Sequence, residues 1–128
     1  MPSVPEVQDL APVVETLRRA GARFAFLHGS RAAGTDRTDS DLDVAAWFGR
    51  PADAWVVAAG LPESVDLLVL DGAPLELAGR VVLDGRLLFE VDPAERVTWQ
   101  ATTRKIYLDE QPRTRQSRLD FLAAQRGG

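Results

Sequence analysis

The sequence predicts an α+β fold in which four short strands alternate with helices and the chain closes in a long helical segment. Two observations carry this. Apolar runs of strand length stand at 23–28, 42–48, 64–70 and 86–91, with helical periodicity or helix-start signals before, between and after them. The step Asp92-Pro93, with Glu95 behind it, supplies an N-cap, a first-turn proline and an acidic third position for the last helix.

Taken in order, residues 5–20 carry Val7, Leu10, Val13, Val14 and Leu17 at helical spacing, and Gly21 is suited to stop that helix. Phe24, Ala25, Phe26 and Leu27 make a buried strand that Gly29-Ser30 breaks, and residues 30–33 fit the first turn of a short helix. Residues 34–40 are polar and turn-rich, hence a loop. The second strand ends at Gly49-Arg50-Pro51, and Pro51 suits the first turn of a short helix reaching about Gly60. The third strand holds one charge, Asp66, and Asp71-Gly72 turns the chain after it.

Pro74 and Glu76 mark the start of a helix over 75–82, and Asp84-Gly85 separates it from the fourth strand. That step also suits a hairpin, but the helix-start residues favour a helix before it. Pro112 is expected to kink or break the last helix near Gln111, because proline lacks an N–H and its ring meets the preceding turn. With no repeat, low-complexity tract or linker, residues 1–128 read as one domain.

The absence of cysteine excludes disulfides, thiolate metal sites and a cysteine nucleophile. A net charge of -4 argues against a broad surface for a nucleic-acid backbone, so direct nucleic-acid binding is not expected. It leaves room for a nucleotide, whose phosphates metal ions on carboxylates can neutralise. No apolar run approaches a membrane span and no signal-peptide pattern opens the sequence, so a cytoplasmic protein is expected. The C-terminal third is basic, with Arg96, Arg104, Lys105, Arg113, Arg115, Arg118 and Arg126. A solvated helix face accounts for this most simply, and a docking surface for an acidic partner is the sharper reading.

The chemistry gathers in residues 29–43. Gly29-Ser30 is followed by ten residues and then by Asp41-x-Asp43 at the start of the second strand. A glycine lets backbone approach a phosphate, N–H groups at a helix start favour anions, and the Ser30 hydroxyl can donate to a phosphate oxygen. Asp41 and Asp43 share one face of a strand at roughly 7 Å between Cα atoms, a gap that one metal ion can bridge. Two divalent ions suit nucleotidyl transfer, one at the attacking oxygen and one at the leaving oxygens. A third acid is expected from the neighbouring strand, and Asp66 is the one charge there; buried without a cation, it would be costly. Leu42 and residues 44–47 are too apolar for a calcium loop, and Asp36 and Asp39 read as solvated turn residues.

These residues resemble the signature of the DNA polymerase β-type nucleotidyltransferase superfamily. The wording Gly-Ser-Arg-Ala-Ala-Gly-Thr…Ser-Asp-Leu-Asp is most similar to its minimal members, the MNT or MntA-like antitoxins. Val65-Asp66-Leu67 stands where the family has its third acid, and residues 83–109, with the late Tyr107-Leu108-Asp109, are similar too. The resemblance implies a mixed α/β sheet flanked by helices, with ATP as substrate and Mg²⁺ as cofactor, two ions being expected. It implies metal binding and catalysis by Asp41, Asp43 and Asp66, and nucleotide contacts by Gly29, Ser30, Arg31 and Ser40. It further implies a HEPN-type RNase toxin as partner, neutralised by transfer of AMP to a tyrosine, as in a type VII-like toxin–antitoxin pair. His28 departs from the pattern, since many relatives carry an apolar or aromatic residue there; a strand-end side chain is a simpler reading than a catalytic base.

Arg31 suits either a phosphate contact or a pair with Asp36 or Asp39. Trp47, Trp55 and Trp99 read as core or partner-interface anchors rather than base-stacking platforms, and Tyr107 as packing. Two alternatives stand beside the antitoxin enzyme. One is an aminoglycoside adenylyltransferase, for which the chain leaves little room to build a drug site. The other is a non-catalytic antitoxin that neutralises by binding alone.

Overall fold

The structure, a computed structural model, describes residues 10–29 and 42–127. Its elements are α1 (Leu10–Arg19), β1 (Phe24–His28), β2 (Leu42–Trp47), α2 (Ala54–Ala59), β3 (Val65–Val69), α3 (Leu75–Asp84), β4 (Arg86–Glu90) and α4 (Pro93–Gly127). The expected helix over 5–9, the turn at 30–33 and the loop at 34–40 lie outside the described residues, as do Ser30, Arg31, Ser40 and Asp41.

The strands form one mixed sheet in the order β3-β2-β1-β4. β1 pairs antiparallel with both β2 and β4, whereas β2 and β3 run parallel. Parallel neighbours need a crossover connection, and α2 supplies it. β1 lies inside the sheet and is buried on both faces, which explains its unbroken apolar run. Opposite β4 its register shifts between Ala25 and Phe26.

Each face has its own core. Val13 and Leu17 of α1 pack on Ala25, Leu27, Val44 and Ala46. On the other face Phe24, Phe26 and Ala45 meet Ala78 and Val81 of α3, with Trp47, Leu68 and Trp99 around them. Phe24 stacks on Trp47 at 5.1 Å between ring centroids and touches Trp99 at 5.4 Å, so Trp47 and Trp99 are packing residues as expected. Trp55 is 87% exposed and is no core residue.

The helix ends follow local chemistry. Gly21, at φ 97, closes α1 while Ala22 donates its N–H to the Leu17 carbonyl and Gly21 to that of Arg18. α2 starts later than the proline suggested. Asp53 caps it, its carboxylate accepting from Trp55 N–H and Val56 N–H, and Pro51 stays outside the helix. Asp84 ends α3, so Asp84-Gly85 joins a helix to a strand and makes no hairpin.

Asp92 caps α4 as expected, accepting from Ala94 N–H at 3.0 Å. Two ion pairs fasten that first turn to the sheet: Arg23 to Glu95 at 2.8 Å and Arg96 to Glu90 at 2.6 Å. The Glu90 carboxylate holds the already basic Arg96 guanidinium still more firmly protonated. Farther along, the Tyr107 ring lies directly on Gly79 of α3, where a methyl group would overlap it. Pro112 does not break the helix, which continues to Gly127. No helix among the described residues is long and apolar enough to cross a membrane.

Candidate active site

The chain turns sharply where β1 ends. Gly29 has φ 79, a conformation open to glycine and strained for other L-residues. Its α-carbon also faces the Asp43 side chain: a β-carbon at Gly29 would overlap the carboxylate Oδ2 and stand 3.2 Å from Cγ. Both the backbone angle and the space therefore require glycine. The glycine of the Gly-Ser step and the second acid of the Asp-x-Asp step are in direct contact.

The sheet register adds two more residues. His28 pairs with Asp43 across the antiparallel strands, and Asp43 pairs with Asp66 across the parallel ones. Partners at one level of a sheet point to one face and stand about 5 Å apart between strands. His28, Asp43 and Asp66 thus form a row across three strands. The row continues the face of Phe24, Phe26, Ala45 and Leu68, just past the end of its aromatic cover.

Their surroundings differ. Asp43 and His28 are half-buried, and Asp66 is exposed on the edge strand β3. The expectation that Asp66 would be a buried acid needing a cation is therefore corrected. A strand with only one sheet neighbour leaves this side chain open to water, and what brings Asp66 beside Asp43 is register. Burial lowers the His28 pKa below its ordinary value, outweighing the attraction of the Asp43 and Asp66 carboxylates, which raise it. Its Nε2 is buried and has no hydrogen-bond partner among the described residues.

The donor set suits a hard divalent cation, because carboxylate oxygens are the ligands Mg²⁺ prefers. Among the described residues no three His, Cys, Asp or Glu side chains are grouped to hold a metal; Asp41 lies outside them. Sequence reasoning did not anticipate that His28 lies level with the acids. The signal was available: counting back through an antiparallel pairing of the two strands sets the last residue of β1 opposite the second residue of β2.

Comparison with known proteins identifies the family. The polymerase beta nucleotidyltransferase family matches residues 13–94, which contain the whole sheet and the Gly29–Asp43 contact. The chain belongs to this family. It is a nucleotidyltransferase. No curated protein matches its sequence.

Solved structures resemble this nucleotidyltransferase along most of its length. One chain of a toxin–antitoxin structure with AMP-PNP is 25% identical, with a TM-score of 0.75 over 90% of this chain and 98% of that one. A chain of the MntA–HepT toxin–antitoxin complex is 22% identical, with a TM-score of 0.65 over 87% and 93%. A chain of the tri-AMPylated Shewanella oneidensis HEPN toxin in complex with MNT antitoxin is 23% identical, with a TM-score of 0.65 over 87% and 92%. The family match stops where α4 begins, whereas the structural likenesses take in most of the chain.

Proposed function

We propose that this chain is a minimal nucleotidyltransferase acting as an antitoxin: with Mg²⁺ it transfers AMP from ATP to a tyrosine of a HEPN-type RNase toxin. The observation that carries the chemistry is the alignment of Asp43 and Asp66 on adjacent strands, with Gly29 held against Asp43. The partner and the nucleotide are drawn from the structural relatives, one solved with AMP-PNP and another with a tri-AMPylated toxin.

In this reading Asp41, Asp43 and Asp66 hold the ions, and Gly29, Ser30, Arg31 and Ser40 face the phosphates. Bound Mg²⁺ supplies positive charge at the attacking and leaving oxygens. The tyrosine oxygen bonds to the α-phosphorus as the bond from that phosphorus to the bridging oxygen breaks. Pyrophosphate leaves with that electron pair, and the Asp66 carboxylate, open to water, takes the hydroxyl proton. Gly29 lets the phosphates approach the backbone, where any side chain would fill the space beside Asp43.

The test combines the purified chain with its co-expressed HEPN-type partner, α-labelled ATP and Mg²⁺. Label should pass to the partner and disappear when the acceptor tyrosine is changed to phenylalanine, when Mg²⁺ is chelated, or in Asp43→Asn. Full transfer by Asp43→Asn would overturn the metal assignment. Label on an added aminoglycoside, or neutralisation of the toxin with no transfer, would overturn the acceptor.

A further inference from the structure

Two exposed apolar surfaces take no part in the acid row. One is the end of α4. That helix passes the start of α3, where Leu75 and Glu76 line a cleft with Ile106, Tyr107, Glu110 and Gln111. Beyond Gln111 every described side chain is exposed, over a stretch that runs about 25 Å to Gly127. Leu108, Leu119 and Leu122, at spacings of eleven and three, share one side of the helix, and Phe121 stands next to them, 62% exposed. A helix draws most of its stability from packing an apolar face, and this stretch finds no cover for one among the described residues. The other surface is the start of α2, where Trp55 is 87% and Val56 70% exposed. Large apolar side chains grouped in water mark contact surfaces, tryptophan above all.

The topology sets both surfaces at one end of the sheet. α2 follows the end of β2, α3 follows the end of β3, and these strands run parallel. Trp55 and the place where α4 passes α3 therefore lie near the same end. Asp43 and Asp66, each the second residue of its strand, lie at the opposite one. Charge is complementary as well. Residues 111–128 carry four arginines against one aspartate, while the whole chain is at -4, so the remainder is acidic. Near Trp55 stand Asp53 and Asp71 against Arg50, and Arg19 close by is already paired with Glu15 at 2.9 Å. The two surfaces of one chain do not meet: Val57 of α2 packs in the core of one sheet face and Trp99 of α4 in that of the other.

We infer that the chain forms a twofold dimer in which the end of α4 of each copy docks on the Trp55–Val56 surface of the other. The contact covers both apolar surfaces at once, sets a basic segment against an acidic corner, and closes on itself because each copy gives what it receives. It lies away from the acid row, and it does not depend on the transfer chemistry proposed above.

The experiment is sedimentation equilibrium of the full chain alone, for wild type, Trp55→Gln and the double variant Leu119→Gln/Leu122→Gln. These side chains are exposed, so the variants keep the fold, which circular dichroism checks. The wild-type mass should double from 14.0 kDa as concentration rises, and added salt should weaken the dimer by screening the charges. Each variant should weaken it at least tenfold, as loss of a buried contact residue does. The two variants mixed in equal amounts should recover part of the association, because the intact α4 of one meets the intact α2 of the other. A wild-type chain that stays monomeric at every concentration overturns the proposal. So does a dimer indifferent to Trp55→Gln, which would mean that the α4 ends pair with each other. A dimer indifferent to the α4 variant overturns it too, as does a mixture that shows no recovery.

Discussion

Gly29 presses on the Asp43 side chain so closely that no β-carbon fits between them. Gly29 directly follows His28, the last residue of β1, which pairs with Asp43, the second residue of β2, so the antiparallel pairing of these strands brings the two together. The glycine turn and the acid are therefore set in place together.

Gly29→Ala consequently carries two burdens, a strained positive φ and an overlap with the carboxylate. The backbone part alone amounts to about 1–2 kcal/mol. We expect a lowered melting temperature and loss of nucleotidyl transfer together. A variant that melts lower but keeps the wild-type rate of nucleotidyl transfer would show that the contact is structural only.

Asp71 accepts from Phe48 N–H at 2.8 Å and from Gly49 N–H at 2.7 Å, and so pins the far end of β2. Asp71→Ala leaves two backbone donors without this partner, a loss on the order of 1–3 kcal/mol. Chemical denaturation should show the loss, while nucleotide affinity stays near wild type because the opposite end of β2 holds Asp43.

Gly79→Ala should destabilise, although alanine is the better helix former by about 1 kcal/mol. The added methyl meets the Tyr107 ring across the α3–α4 seam. Overpacking of this kind costs about 1–3 kcal/mol. In the double variant Gly79→Ala/Tyr107→Ala the methyl penalty should vanish, leaving only the loss of the ring, and a double-mutant cycle measures that coupling.

Pro112→Ala should raise helicity by far-UV circular dichroism. An internal proline lacks one N–H of the helical ladder and is about 3 kcal/mol less favourable than alanine. A fall in helicity would mean that the proline is needed where it stands.

The folded chain binds a proton at His28 less readily than the unfolded chain does, because burial lowers that pKa. The unfolded state then holds more protons in this range, so stability rises with pH. The loss should begin as pH falls through about 6.5 and continue down to the lowered folded value. His28→Phe should flatten this part of the stability–pH curve, and an unchanged slope would assign it to other groups.

Strand positions and the start of α4 were legible because period, caps and turn residues act over a few neighbours. Asp92-Pro93 is the clearest case. The break allowed for at Pro112 does not occur, because the surrounding helix tolerates an internal proline that a local rule disfavours. Asp53 displaced Pro51 as the start of α2 because a side-chain cap satisfies two N–H groups and a proline satisfies none. At the candidate site, the Asp-x-Asp spacing pointed to Asp43 and the one charge of the third strand to Asp66, but the exposure of Asp66 depends on β3 being an edge, and strand order is set by distant pairing. Asp71 was read only as a turn residue, since its carboxylate reaches back more than twenty positions.

The edge position of β3 also sets how durable the acid row is. Asp43 belongs to a strand paired on both sides and can be displaced only by dismantling the sheet, whereas Asp66 leaves when β3 alone peels away from β2. The readiness of the acid row is then governed by a local opening of Val65–Val69, whose free energy is smaller than that of global unfolding. Amide hydrogen exchange along this one strand would report that opening directly, and any ligand gripping both carboxylates would slow it.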